Sequence, residues 1–376
     1  MTAGFRIFVF TCRDPSSDFR RPLVDALRRD HEVYCIRMRR RPVISGPEQA
    51  SPASEMSLAE LVKRLARRCR DGGIDIYFDS TDASLPAVML FIRSVARRGV
   101  WCFDMHDDLR YYHRGLARLR RTLAIALPRM GSHAVVCATP ALAELFPGSH
   151  VLGNASHILP MSHDGTDPAD VLILTSFDAR FDFDFVVRLA RASTQSRFHI
   201  HGWTRNSDPE TAQRASRLVT EHANILDHGP YTTDDLPSIL RAYRVMVAPY
   251  RANSPLTRTI DPLRFYHCLN AGLEVISTDI PSARALAPWV HVVRDAEHGA
   301  ETLRRIQAGE VSRPTGFMPT TWEGRASRLM EIINGLERTR RLRGGDILTS
   351  FAPHTHQDQA GRELLPPLLR SRHGRA

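Results

Sequence analysis

Short, almost wholly apolar runs recur along the chain, separated by longer stretches in which apolar residues return every three or four positions. In the first half, the runs at 5–11, 32–38, 74–80, 100–104 and 133–138 are bounded by polar or turn residues and are too short for helices. They read as strands buried on both faces. Residues 18–29, 57–70, 85–98 and 115–128 lie between them and carry helical periodicity with an arginine-rich polar side. This alternation predicts a parallel sheet covered by helices on both faces, completed by a short strand at 150–152.

After a polar stretch at 157–168 the pattern begins again. Strands are predicted at 171–175, 197–201, 224–226, 244–248, 274–277 and 290–293, with helices at 183–192, 209–222, 234–242 and 262–271. The expected fold class is therefore α/β, with two doubly wound, parallel-sheet, Rossmann-like domains facing each other across a cleft. Ligands in such sheets bind at the carboxyl ends of the strands. The expected boundaries are 1–156 for the first domain, 157–170 for the linker and 171–317 for the second domain, then a helix at 318–336 and a basic, loosely ordered tail at 337–376.

Composition narrows the functional classes. A length of 376 residues suits two ordinary domains, and no stretch approaches the ~20 apolar residues of a membrane-spanning helix. The opening MTAGFRIFVF lacks the early positive charge of a leader and reads as the first buried strand. Six scattered cysteines with no C-x-x-C pair suit reduced thiols in the cytoplasm rather than a disulfide framework or zinc site. The net charge of +10 is almost all arginine, Lys63 being the one lysine. It attracts anionic partners, but no nucleic-acid-reading motif accompanies it. Residues 111–130 are basic on one face and apolar on the other, a pattern compatible with peripheral contact at the inner membrane face or with a solvated Rossmann helix. His199 and His201 share one strand face without a third ligand, so no metal is expected there.

The segment 224–279 carries the most chemistry. A strand ends at His228-Gly229, where the glycine allows a tight turn and backbone groups at Tyr231 can pair with a nucleobase. Further on, Tyr250 and Asn253 open a polar loop that leads into a helix, with Asp261 expected as its N-cap and Pro262 and Leu263 as its first residues. Free N–H groups at such a start suit a diphosphate, and Arg258 and Arg264 flank it.

With Pro249, Tyr250, Asn253, Thr257, Arg258, Asp261, Pro262, Leu263, Tyr266, Leu269, Ala271 and Gly272 in place, this run resembles the donor-binding region of the GT-B glycosyltransferases. VVCATPALAELF, VLGNAS, TSFDARFDFDFVVRLARAS and TTWEGRASRLMEII resemble further segments of that family, in the same order. The resemblance implies an acceptor-binding first domain, a nucleotide-sugar-binding second domain and a crossover helix back to the first. It implies a UDP- or GDP-linked sugar as co-substrate, with no separate cofactor, and a glycan, lipid-linked or small-molecule hydroxyl as acceptor. His267 stands where many retaining members have the glutamate that holds the donor ribose.

In the first domain VWCFDMHDDLR reads as a strand running into an acidic loop at the sheet's carboxyl edge. By similarity to the inverting xanthan-type glucuronosyltransferases, Asp107 is the expected general base, with His106 and Asp108 as alternatives. The plainer reading is that Asp107 and Asp108 cap the following helix. Three other functions compete: a retaining transferase, a non-catalytic GT-B relative acting as a binding subunit, and a dinucleotide-dependent oxidoreductase. Against the last, TCRDPS and TSFDAR replace a G-x-G-x-x-G turn after each first strand.

Overall fold

The computed structural model describes residues 5–12, 20–39, 41–46, 54–67, 75–80, 99–163, 166–203 and 208–342. The helix expected at 85–98 and the tail beyond 342 lie outside these residues. The first sheet contains β1 (Arg6–Thr11), β2 (Glu32–Arg37), β3 (Val43–Ser45), β4 (Ser54–Glu55), β5 (Asp75–Ser80), β6 (Val100–Met105), β7 (Ala134–Cys137) and β8 (His150–Val151), in the spatial order 4-3-2-1-5-6-7-8. Its helices are α1 (Arg21–Leu27), α2 (Leu58–Ala66), α3 (Gly115–Gly131) and α4 (Pro140–Ala143). The pairings along 2-1-5-6-7-8 are all parallel; β3 and β4 add an antiparallel edge between the strand at 32–38 and the helix at 57–70.

The second sheet is formed by β9 (Asp170–Ser176), β10 (Arg197–Trp203), β11 (Ile225–Asp227), β12 (Val245–Ala248), β13 (Glu274–Thr278) and β14 (Val290–Val293). Its order, 11-10-9-12-13-14, is fully parallel and reverses direction between β9 and β12. That reversal opens a crevice at the carboxyl edge. The accompanying helices are α5 (Phe183–Ala192), α6 (Pro209–Thr220), α7 (Leu236–Arg241), α8 (Leu263–Ala271), α9 (Pro281–Ala285) and α10 (Ala296–Gln307), followed by α11 (Trp322–Leu342). Separate apolar layers cover the two sheet faces, one around Phe185, Leu189 and Leu303, the other around Phe265, Leu269 and Leu273.

Local signals explain most element ends. Asp182 accepts the Phe185 N–H at 3.0 Å to start α5, and Gly272, at φ +109°, ends α8 in a conformation that L side chains resist. Helix α10 was not expected, because Leu303 is the one large buried side chain on its face. Gly299 compensates: a Cβ there would lie 3.2 Å from the Phe185 ring, so the glycine lets α10 sit close on α5.

Two features join the domains. First, α11 crosses back, and Trp322, Leu329 and Ile333 enter the core built by Leu23, Leu27, Ile76 and Val136. Second, a buried polar chain spans the interface. Arg20 donates from Nε and Nη2 to both Asp104 oxygens at 2.8 Å, and from Nη1 to Asn154 Oδ1 at 3.1 Å. Asn154 in turn donates its backbone N–H to the Asp261 carboxylate and its side-chain amide to the Asp261 backbone carbonyl, each at 2.6 Å, and Tyr266 donates its hydroxyl to that carboxylate at 2.8 Å. Nearby, Asn270 ties the two crossing segments together, donating to the carbonyls of Ile158 and Thr320 and accepting the Thr320 N–H.

Removing one member of a buried ion pair strands its partner. Asp104→Ala is expected to destabilise the protein by about 3–5 kcal/mol, whereas Arg20→Met combined with Asp104→Leu recovers most of the loss. Denaturant unfolding of the two variants and the parent checks this; equal stability of Asp104→Ala and the parent would show that the pair is dispensable.

Candidate active site

Strand β6 delivers its last residues to the carboxyl edge of the first sheet, where the chain turns into a short 3-10 helix, Leu109–Tyr112. Asp108 caps that turn: its buried carboxylate accepts the Arg110 N–H at 3.2 Å and pairs with the Arg110 guanidinium at 2.6 Å. Capping therefore falls to Asp108 alone. Asp107 points elsewhere and accepts the Tyr112 hydroxyl at 3.0 Å. Burial pushes its pKa up, against the nearby charges of His106 and Arg180. The His106 Nδ1 lies 3.9 Å from Asp104, beyond hydrogen-bond reach of a carboxylate whose two oxygens already accept from Arg20.

Arg180 comes from the second domain, on the loop after β9. Its guanidinium lies 5.9 Å from the Tyr112 ring centre, so the two carboxyl edges meet here. Burial works against the Asp178 carboxylate, but hydrogen bonds and charge from Arg180 hold it below the ordinary range. Arg264, on the first turn of α8, donates to the Leu174 carbonyl of β9 and lies 5.3 Å over the Tyr250 ring. Tyr250 is buried behind it, its backbone N–H and C=O both bonded to Thr278 Oγ1. Arg258 and Asn253 are exposed on the loop that precedes α8. Among the described residues, neither Arg258 nor Arg264 has a carboxylate within ion-pair distance, in contrast to Arg180.

The helix start differs from expectation in one respect. Pro262, not Asp261, occupies the cap position, Leu263 begins the helix, and no side chain caps it. The Asp261 carboxylate is committed to Asn154 and Tyr266 and so serves the domain interface. Gly229 has a positive φ of 71°, and its carbonyl accepts the Gly202 N–H at 2.8 Å, which places the turn before Tyr231 at the ends of β10 and β11. His267 faces the hinge: its Nδ1 lies 2.7 Å from Ser156 Oγ, beside the His157 ring. The structure thus places Asp107 and His106 at the carboxyl edge of the first sheet and Arg264 and Tyr250 at that of the second, and Tyr112 and Arg180 mark where the two edges meet. It separates out Asp108, Asp261 and His267, each engaged in a structural bond. Arg180 and Tyr112 were missed, although TSFDAR places an arginine just beyond a strand end. A separate cavity of about 630 Å3, lined by Phe5, His31 and Met330, lies at the opposite, amino-terminal edge of the first sheet.

No protein-family model matches the chain, and no curated protein matches it by sequence. Solved structures do. A sucrose-phosphate synthase from Thermosynechococcus elongatus is 17% identical, with a TM-score of 0.63 over 89% of this chain and 100% of its own. Anabaena HepE in complex with UDP and glucose is 13% identical, with a TM-score of 0.56 over 90% and 98%. TarM is 12% identical, with a TM-score of 0.51 over 81% of this chain, which spans 61% of TarM. The chain has the GT-B fold of the glycosyltransferases.

The buried His267 makes a pH prediction. Burial, with the His157 ring and the Arg264 charge, pushes its pKa from 6.5 down to about 3. The unfolded chain gains a proton below pH 6.5 that the folded protein refuses, so stability drains away as pH falls from 6.5 toward 3. Between pH 6.5 and 5 this residue contributes a loss of up to about 2 kcal/mol. Unfolding measured at pH 7.5 and pH 5 is expected to show a smaller acid-induced loss for His267→Gln than for the parent. Identical losses would assign the acid sensitivity to other groups.

Proposed function

We propose that this protein is a cytoplasmic glycosyltransferase that moves a sugar from a nucleotide-diphosphate donor to a hydroxyl of a glycan, lipid-linked or small-molecule acceptor, with inversion. One observation carries the reading: a half-buried carboxylate, Asp107, stands at the carboxyl edge of one sheet of a GT-B fold, and Arg258 and Arg264, with no carboxylate at ion-pair distance among the described residues, stand at that of the other. The complexes of HepE with UDP and with UDP-glucose support a nucleotide sugar as donor, UDP- or GDP-linked. The five described cysteines are free thiols, four of them buried, which supports the cytoplasmic location.

In this mechanism the donor diphosphate lies at the uncapped start of α8 between Arg258 and Arg264, and the nucleobase lies beside the Gly229–Tyr231 turn. Asp107 takes the proton from the acceptor hydroxyl as its oxygen attacks the anomeric carbon. The bond from that carbon to the β-phosphate oxygen breaks on the opposite side, and the nucleoside diphosphate leaves with the electron pair. Guanidinium groups, rather than a metal, supply the charge that stabilises it. Tyr112 orients the base through its 3.0 Å bond, and the raised pKa makes Asp107 a stronger proton acceptor than an exposed carboxylate. Asp108 is excluded from that role by its bonds to Arg110.

Asp107→Asn is expected to lower kcat by ~10²–10⁴-fold with donor affinity unchanged. The parent's kcat/KM is expected to fall on the acid side with a pKa above the usual carboxylate range. Arg264→Ala is expected to weaken donor binding by ~10–100-fold in calorimetry against a panel of UDP-, GDP- and dTDP-sugars. A product of retained configuration by NMR would overturn Asp107 as base. If no nucleotide sugar binds and Arg258→Ala is silent, the chain is instead a non-catalytic binding subunit.

A further inference from the structure

Helix α3 leaves one long face open to solvent. Leu116, Leu119 and Leu123 are 85%, 56% and 50% exposed, and their spacing puts them on one stripe. Ala124 and Ile125, on the other side, are buried against the first domain. Tyr111 and Tyr112, just before the helix, extend the exposed apolar surface. Isolated exposed leucines are ordinary, but a continuous stripe of them on an open helix face is a contact surface.

Charge identifies what it contacts. From 109 to 143 the sequence holds six arginines and no carboxylate. Among the described residues, Arg114, Arg118, Arg120 and Arg121 have no acidic partner, whereas surface arginines elsewhere pair readily, as Arg197 does with Asp167, Arg304 with Glu301 and Arg328 with Glu331. An apolar stripe bordered by unpaired arginines matches the boundary between acyl chains and anionic headgroups. A second copy of the chain fits poorly, because a symmetric contact would set the same arginines against each other.

We propose that α3 docks on an anionic membrane surface through Leu116, Leu119 and Leu123, with the flanking arginines on lipid phosphates. Resting on the transferase reading, this also names the acceptor class. Tyr112 lies at the membrane-facing end of the helix and holds Asp107, so the acceptor hydroxyl is one presented on a lipid anchor.

Flotation of the full chain with vesicles tests the proposal. Vesicles of phosphatidylcholine mixed with phosphatidylglycerol are expected to carry the protein up, and phosphatidylcholine alone to leave it behind. Added salt weakens the binding. Leu119→Ser with Leu123→Ser, and separately Arg118→Glu with Arg120→Glu, are each expected to reduce binding at least ~10-fold while nucleotide-sugar affinity in solution stays unchanged. That affinity also reports whether each variant folds. Both pairs are expected to slow transfer to a lipid-linked acceptor in vesicles and spare a soluble short-chain analogue. Wild-type protein that ignores anionic vesicles would overturn the proposal. So would a concentration-dependent dimer that the leucine pair abolishes without any vesicle binding. Flotation without nucleotide-sugar binding would sink the transferase reading and leave the membrane contact standing.

Discussion

Arg20 is 3% exposed, and a guanidinium withdrawn from water must be answered by fixed acceptors. Asp104 answers it with both oxygens, and Asn154 accepts its remaining reach and passes the connection on to Asp261. Three parts of the fold thereby take a set relation: the strand that carries the acidic loop, the hinge between domains, and the segment that enters α8. The crossing helix α11 also joins the two domains, and the tie through Asn270 closes the hinge from behind. Such buried charge is weak evidence for stability but good evidence for a single arrangement.

Charged residues in the cleft divide by whether their charge is already spent. Asp108 and Arg110 satisfy each other, as do Asp178 and Arg180, and Asp261 belongs to the interface. What is left over is Asp107 on one edge and Arg258 with Arg264 on the other. Asp107 and Arg264 are half-buried and held by bonds to Tyr112 and to the Leu174 carbonyl before any ligand arrives, so much of their electrostatic work falls to folding rather than to binding.

Both doubly wound sheets were legible because their strands are continuous apolar runs, the pattern that burial on two faces demands. Helix α10 was not, because its buried face is mostly small, Ala296 and Gly299 beside the single large Leu303, and carries little apolar periodicity. In the site, the loop residues could be placed at a strand end by periodicity alone, but their partners could not. Asp107 and Asp108 are adjacent and chemically alike; only the turn geometry sends one to Arg110 and the other to Tyr112. Asp261 looked like a helix cap because short-range rules see three or four residues, whereas Asn154 lies 107 positions away. Likewise, the resemblance sets His267 at the place of a glutamate that holds the donor ribose; its bond to Ser156 makes it a hinge residue.

Helix α11 has a consequence for synthesis. The core around Leu23, Leu27 and Val136 lacks Trp322, Leu329 and Ile333 until the ribosome has passed through the entire second domain. At ordinary translation rates of ~5–20 residues per second, the first sheet waits roughly 9–36 s after its last strand for the residues that seal it. The usual order, amino-terminal domain first, is therefore inverted: the second domain, whose own layers are contiguous in the chain, completes itself while the first remains open. Until then the exposed apolar face of the first domain is a natural client for a nascent-chain chaperone.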